Sequence, residues 1–214
     1  KLLFCCNALL FRSFALLIKR SLQIHAYRFL LIKITSLYMK IHQFVFNLFQ
    51  ENTYLITDSN GDAIVIDPGF SNLNEYQSFK TYLNKHTLSL KKVILTHGHI
   101  DHISGLDFLL RDYSLRPLMH EATLSLIKQM AVFGSNYGLP SPTVLPETPY
   151  LTDGQIVDFG SLNFEVRYTP GHADGHIVLY FPEEKVVFTG DVLFKDSIGR
   201  SDLPTGDYDV LKAS

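Results

Sequence analysis

Cysteine is almost missing from this 214-residue chain, and the two it has, Cys5 and Cys6, are neighbours near its beginning. Residues 39–214 therefore hold no thiol, which excludes disulfide staples, Cys-ligated zinc fingers and a cysteine nucleophile from that stretch together. Any metal bound there must take its ligands from His and carboxylate side chains. Long apolar runs are missing too: none reaches the 18 or more residues of a transmembrane helix, so no membrane-spanning segment is expected. Acidic residues are absent from positions 1–38, which carry six of the 19 basic residues, so the remainder holds 13 basic against 21 acidic residues, a net charge of −8. Clustered Lys and Arg are absent after position 40, and an acidic body of that kind argues against nucleic acid as a partner. What is present, 46% hydrophobic and 19% charged residues, is the composition of a globular chain and not of a disordered or collagen-like one.

Residues 1–38 form an apolar leader interrupted by Lys1, Arg12, Lys19, Arg20, Arg28 and Lys33. It lacks a small-residue cleavage site of the A-x-A kind. The expectation is that it is upstream sequence outside the fold, with Met39 the native start; a targeting segment and a membrane-surface amphipathic segment are the alternatives. The folded domain is then 39–214. Strands are expected at 41–46, 53–57, 63–66, 93–95, 117–119, 155–157, 163–168, 177–181 and 186–189, from β-branched runs bounded by turn residues. Helices are expected at 74–85, 102–112 and 121–133, from apolar spacing such as that of Tyr76, Phe79, Tyr82 and Leu83. The Gly- and Pro-rich stretch 134–149 reads as a loop bordering a pocket. This order fits an α/β fold of two mixed β layers with helices on their outer faces.

The chemistry concentrates at strand ends. Directly after Val93-Ile94-Leu95 comes Thr96-His97-Gly98-His99-Ile100-Asp101-His102, with three imidazoles and a carboxylate within six residues. Imidazole nitrogen and carboxylate oxygen both bind divalent metals, and a loop turns alternate residues toward different sides, so one loop can serve two ions. Two later strand ends deliver Thr169-Pro170-Gly171-His172-Ala173-Asp174-Gly175-His176 and Thr189-Gly190-Asp191. Glycine beside each ligand-type residue lets backbone crowd close to an ion. The remaining histidines, His25, His42, His86 and His120, read as structural or solvated, His120 as a cap.

The H-x-H-x-D-H motif, the P-G-H-x-x-G-H segment and the later G-D together resemble the metallo-β-lactamase superfamily from about Lys40 to the end. Gly190-Asp191-Val192-Leu193-Phe194 followed by Ile198-Gly199-Arg200-Ser201-Asp202-Leu203 is similar, more narrowly, to its glyoxalase II type. The resemblance implies a four-layer αββα sandwich. It also implies His97, His99 and His172 as ligands of a first metal, Asp101 and His102 of a second, and Asp191 as the carboxylate bridging both. Asp101 and Asp191 carry the catalytic assignment, and Asp67, in the Ile66-Asp67-Pro68-Gly69 turn, matches a supporting position behind the ligands. His176 is expected to pack against the site without binding metal. Family members continue past the region of Leu211 to a further His completing the second site, so a fragment of a longer product, C-terminally truncated, is expected.

The implied activity is hydrolysis by a metal-activated hydroxide, with two divalent ions, zinc first and iron or manganese as alternatives. A thioester such as a hydroxyacyl-glutathione is the expected small-molecule substrate. Its thiol leaving group, with a pKa of about 8.5, needs no general acid. Arg200 is a candidate for bidentate pairing with a substrate carboxylate, and Tyr137 a weaker substrate contact. The competing readings are an iron-dependent persulfide dioxygenase using His97, His172 and Asp191, a β-lactam hydrolase, and a non-catalytic metal-binding remnant. The expected location is cytoplasmic, and the oligomeric state is left open.

Overall fold

A computed structural model describes residues 39–142, 145 and 147–214 of the chain. The expectations for the leader lie outside the described residues. The domain begins with a hairpin, β1 (Lys40–Phe46) and β2 (Glu51–Thr57), whose register runs from Lys40 opposite Thr57 to Phe46 opposite Glu51. Asn47 and Gln50, at φ 51° and 57°, make the connecting turn. Next come β3 (Asp62–Ile66), α1 (Leu73–Lys85) and β4 (Ser89–Ile94), with β3 and β4 parallel. Helix α1 starts where Asn72 caps the N–H of Glu75 at 3.0 Å, and it buries Tyr76, Phe79 and Leu83 at i, i+3 and i+7. Each such side chain contributes about 1.5–3 kcal/mol by leaving water.

Two short helices follow, α2 (Ile100–Ile103) and α3 (Leu106–Asp112), where the apolar spacing suggested one helix over 102–112. Gly105 interrupts it: its N–H donates to the Pro68 carbonyl at 2.7 Å, and the Phe70 ring lies where a Cβ would stand. Strand β5 (Pro117–His120) leads to α4 (Thr123–Phe133), which begins two residues later than expected. His120, the last residue of β5, caps the turn before α4, its Nδ1 accepting from the Ala122 N–H at 3.2 Å. The Gly/Pro stretch opens with a 3-10 turn over Gly134–Tyr137 and ends at β6 (Tyr150–Leu151).

Strands β1 to β6 form one mixed sheet in sequence order. The second sheet, in order β10-β9-β8-β7, is antiparallel throughout and not mixed as expected: β7 (Ile156–Phe159), β8 (Leu162–Tyr168), β9 (Ile177–Phe181) and β10 (Val186–Phe188). Its alternation is visible in β8, where Leu162, Phe164 and Val166 are buried. These meet Ile56, Ile64, Ile66 and Ile94 between the sheets, while a second core lies under α1 to α4 on the other face of the six-stranded sheet. A small hairpin, β11 (Leu193–Phe194) with β12 (Ser197–Ile198), and α5 (Tyr208–Ala213) complete the described chain. Helix α5 presses buried Leu211 onto Gly171, where a Cβ would collide with the Leu211 backbone. Two face-packed sheets with α1 to α4 over the outer face of the first are the architecture of the αββα fold.

Candidate metal centre

Parallel β3 and β4 end side by side, and in such sheets functional groups gather beyond the carboxyl ends of the strands. Asp67 follows β3, and Thr96 to His102 follow β4. The second sheet brings the Thr169–His176 loop from the end of β8 and Thr189 to Asp191 from the end of β10. The two sheets are tied at this point by the Ile177 N–H donating to the Thr96 carbonyl at 2.9 Å. Residues 75 positions apart in the chain are thereby placed in contact.

His97, His99 and His172 converge. His172 Nε2 lies 3.3 Å from His97 Nε2 and 2.9 Å from His99 Nδ1. The tautomers follow from the outer nitrogens. His172 Nδ1 is 2.8 Å from the Arg200 carbonyl, which only accepts, so its proton sits on Nδ1. The Thr96 hydroxyl donates its one proton to Asp67 Oδ2 at 2.6 Å, so it accepts at 3.0 Å from a protonated His97 Nδ1. His97 and His172 therefore point bare lone pairs at one another. Burial first, and neighbouring imidazoles second, hold His97 well below the ordinary imidazole range and His99 down at about 3. His99 Nε2 is buried without a hydrogen-bond partner. Facing lone pairs on imidazoles that resist protonation suit a cation and not a shared proton, so this donor set fits a divalent metal.

Beside this group stands His102. Its Nδ1 is 3.0 Å from Asp67 Oδ2, and its Nε2 is 3.4 Å from Asp191 Oδ1 and 3.7 Å from Asp101 Oδ2. Burial alone would lower its pKa, but Asp101, Asp67 and Asp191 outweigh burial and raise it well above the usual value. Asp191 reaches both groups, since its Oδ2 is 3.7 Å from His172 Nε2. Burial raises its carboxyl, yet the hydrogen bond to His102 and the charges around it hold it at about 2. Asp191 is set by its own N–H, which donates to His176 Nε2 at 3.1 Å. His176 Nδ1 is 3.0 Å from the Thr169 hydroxyl, so both its nitrogens are occupied, and its ring stacks on His97 at 5.0 Å.

Asp67 accepts three bonds, from the Thr96 N–H at 2.7 Å, the Thr96 hydroxyl and His102. The Arg200 side chain turns outward and makes a bidentate pair with Asp202 at 2.8 Å for each bond, while its backbone carbonyl is what meets His172. Tyr137 is 46% exposed, 6.4 Å from the Phe49 ring.

Several participants escaped sequence reasoning. Thr96, which links Asp67 to His97, stands directly before the His motif, and that adjacency was its only signal. Glu51 and Thr53 lie beneath Asp67. The Thr53 hydroxyl is 2.8 Å from Glu51 Oε2 and 2.6 Å from the Asp67 carbonyl, and accepts from the Gly69 N–H. Glu51 Oε1 is buried without a hydrogen-bond partner, and burial raises its pKa well above the carboxylate range. Asn47 joins the β1–β2 turn to this floor, donating to the carbonyls of Gly69 and Asp101. The one sequence hint was a charged residue, Glu51, on the same face of β2 as Leu55.

The profile of the metallo-beta-lactamase superfamily matches residues 46–214. The chain belongs to this superfamily. It is 36% identical over 168 residues to hydroxyacylglutathione hydrolase GloC of Haemophilus influenzae, covering 78% of this chain and 77% of that protein. Hydroxyacylglutathione hydrolase of Francisella philomiragia is 33% identical over 168 residues, of which this chain spans 57% of the length. Among solved structures, the BLEG-1 B3 metallo-beta-lactamase superposes with a TM-score of 0.73 at 31% identity, over 81% of this chain and 82% of that one. TTHA1623 in a di-iron-bound form gives 0.71 at 32% identity, over 80% and 82%. The fold, the family and a His/Asp site suited to divalent metal agree with the sequence reading. Among the described residues no helix is long and apolar enough to cross a membrane.

Proposed function

We propose that residues 39–214 form the metal-binding domain of a hydrolase that cleaves thioesters, with a hydroxyacyl conjugate of glutathione as the substrate class. The observation that carries this reading is the pair of lone pairs at His97 Nε2 and His172 Nε2, 3.3 Å apart, with Asp191 placed between them and His102. His97, His99 and His172 would hold one divalent ion, Asp101 and His102 a second, and Asp191 both, with zinc preferred over iron or manganese. Bound metal supplies Lewis acidity and lowers the pKa of water from 15.7 to about 7.

The chain's own residues do the orienting. Asp67 and Thr96 hold the His97 proton on Nδ1, and Asp67 anchors the Nδ1–H of His102, so that Nε2 is the nitrogen each ring would offer to a metal. The Arg200 carbonyl does the same for His172. Asp101, with its side chain 21% exposed, faces the opening and orients water by accepting its hydrogen bond. Water adds to the thioester carbonyl carbon, the C–S bond breaks, and the thiolate leaves with the electron pair and takes up the proton. The products are a carboxylic acid and a thiol. A cytoplasmic location belongs to the same proposal, because thiol conjugates are met where thiols stay reduced.

The test is release of free thiol from S-lactoylglutathione by the zinc-loaded protein. His97→Ala and Asp191→Ala are each expected to abolish it, and near-full activity after either change rejects the site. A second reading, an iron-dependent persulfide dioxygenase, is favoured by the side-by-side placement of His97, His172 and Asp191, a two-His, one-carboxylate set. Elemental analysis separates the two: about two zinc ions per chain supports the hydrolase, and one iron the dioxygenase.

A further inference from the structure

Two hollows open onto the candidate metal centre, and Phe49, Asp101 and Asp191 line both. The larger, about 580 Å³, runs past His102 and carries polar and charged groups at Gln50, Asn52 and Lys195. The smaller, about 280 Å³, opens beside His99 and His172 and is walled by Leu126, Met130, Tyr137, Leu203 and Pro204. Leu126 and Met130 are buried and project from α4, which Thr123 anchors by donating to the Gly175 carbonyl at 2.9 Å, so this wall is fixed to the His172 loop. The one cationic side chain lining the smaller cleft, Arg200, is already paired with Asp202.

Charge and size together choose the occupant. A peptide thiol such as glutathione brings two carboxylates, which the smaller cleft has no free cation to pair, and burying an unpaired charge is costly. At about 30 Å³ per water-sized group, the cleft holds roughly nine such groups, too few for a tripeptide but enough for an acyl chain of several carbons. The cleft also ends at His99, His172 and Asp191, where the reacting carbonyl must sit. Building on the thioesterase reading, we propose that the smaller cleft is the acyl pocket and that it favours a longer unbranched aliphatic chain, hydroxylated or not, over the short lactoyl group, leaving the polar thiol carrier to the larger hollow.

The experiment pairs turnover with binding. Zinc-loaded protein is given glutathione thioesters of acetate, lactate, butyrate and hexanoate. Separately, the free acids are titrated while the Met130 methyl resonance is followed by NMR. Efficiency, kcat/KM, and affinity should each rise from acetate to hexanoate by about fourfold per methylene, since burying one is worth about 0.8 kcal/mol. Hexanoate, but not lactate, should shift the Met130 signal. Leu203→Trp, at the partly exposed rim, should move the optimum to shorter chains, and Met130→Ala to longer ones. Hydrolysis of all four thioesters at similar efficiency, with Met130 unmoved by hexanoate, overturns the acyl pocket and leaves the thioesterase reading standing. No hydrolysis of any thioester, with hexanoate still bound at Met130, rejects the thioesterase reading and keeps the apolar pocket. Absence of both turnover and binding overturns both.

Discussion

Asp67→Asn tests the proposed orientation of His102 with almost no change of shape. Asp67 sits at φ 50°, a left-handed conformation that asparagine also tolerates, so the backbone has no reason to move. With the amide oxygen at the Oδ1 position, the bond from the Thr96 N–H survives. The NH2 group then replaces Oδ2 and faces the Thr96 hydroxyl and His102 Nδ1, both of which donate in the parent. The cheapest repair is loss of the Nδ1 proton from the protonated His102 ring, so that Nδ1 accepts from the amide and the one proton left sits on Nε2. That proton then occupies the lone pair directed toward Asp101 and Asp191. Two buried charge-assisted bonds become weaker neutral ones, for a loss of about 2–4 kcal/mol in the metal-free protein. Losing a partner behind a metal ligand costs roughly 10–100-fold in metal affinity. Urea unfolding of the metal-free variant reads the first quantity, and competition with a chromogenic zinc chelator reads the second. The affinity loss should fall chiefly on the ion proposed for His102 and, through the Thr96 hydroxyl that Asp67 orients, to a smaller degree on the one proposed for His97, His99 and His172. Unchanged affinity for both ions, with a stability change below about 0.5 kcal/mol, refutes the reasoning.

Gly190→Ala should destabilise the fold by about 2–4 kcal/mol, because residue 190 has φ 47° and the new Cβ would stand 2.6 Å from His176 Nε2 and 2.7 Å from the Thr96 hydroxyl. A thermal midpoint within about 2 °C of the parent contradicts this. The pH dependence of the metal-free protein also has a definite sign. His97, His99, His172 and His176, and outside the site His42 and His120, are held below their ordinary pKa, chiefly by burial, and so take up protons on unfolding below about pH 6.5, whereas His102, raised by its carboxylates, and Glu51, raised by burial, hold their protons more tightly when folded. Six lowered imidazoles against two raised groups leave the unfolded chain binding more protons, so stability falls from pH 7 to pH 5, by up to about 1.4 kcal/mol per pH unit for each net proton. Urea midpoints that stay level or rise across that range refute it.

The candidate metal centre was legible in the sequence because its ligand-type residues are locally dense. Thr96 to His102 packs three imidazoles and a carboxylate behind one buried strand, and glycine accompanies His172 and Asp191 at the other two strand ends. Strand alternation and helix spacing are equally local, which is why most elements could be placed before the fold was seen. The break at Gly105 could not be, since its cause is a carbonyl at Pro68 and a ring at Phe70, distant in sequence. The same limit hid Glu51, Thr53 and Asn47, whose roles exist only because the β1–β2 turn folds under the loop after β3. Arg200 shows it most clearly: its type and position suggest a substrate contact, yet its side chain is taken by Asp202 and its carbonyl meets His172. Which residues offer ligand atoms was decided by sequence alone. Which nitrogen carries the proton, which cation stays free, and which wall of the site is apolar depend on groups brought together across the two sheets, and only the tertiary structure decided those.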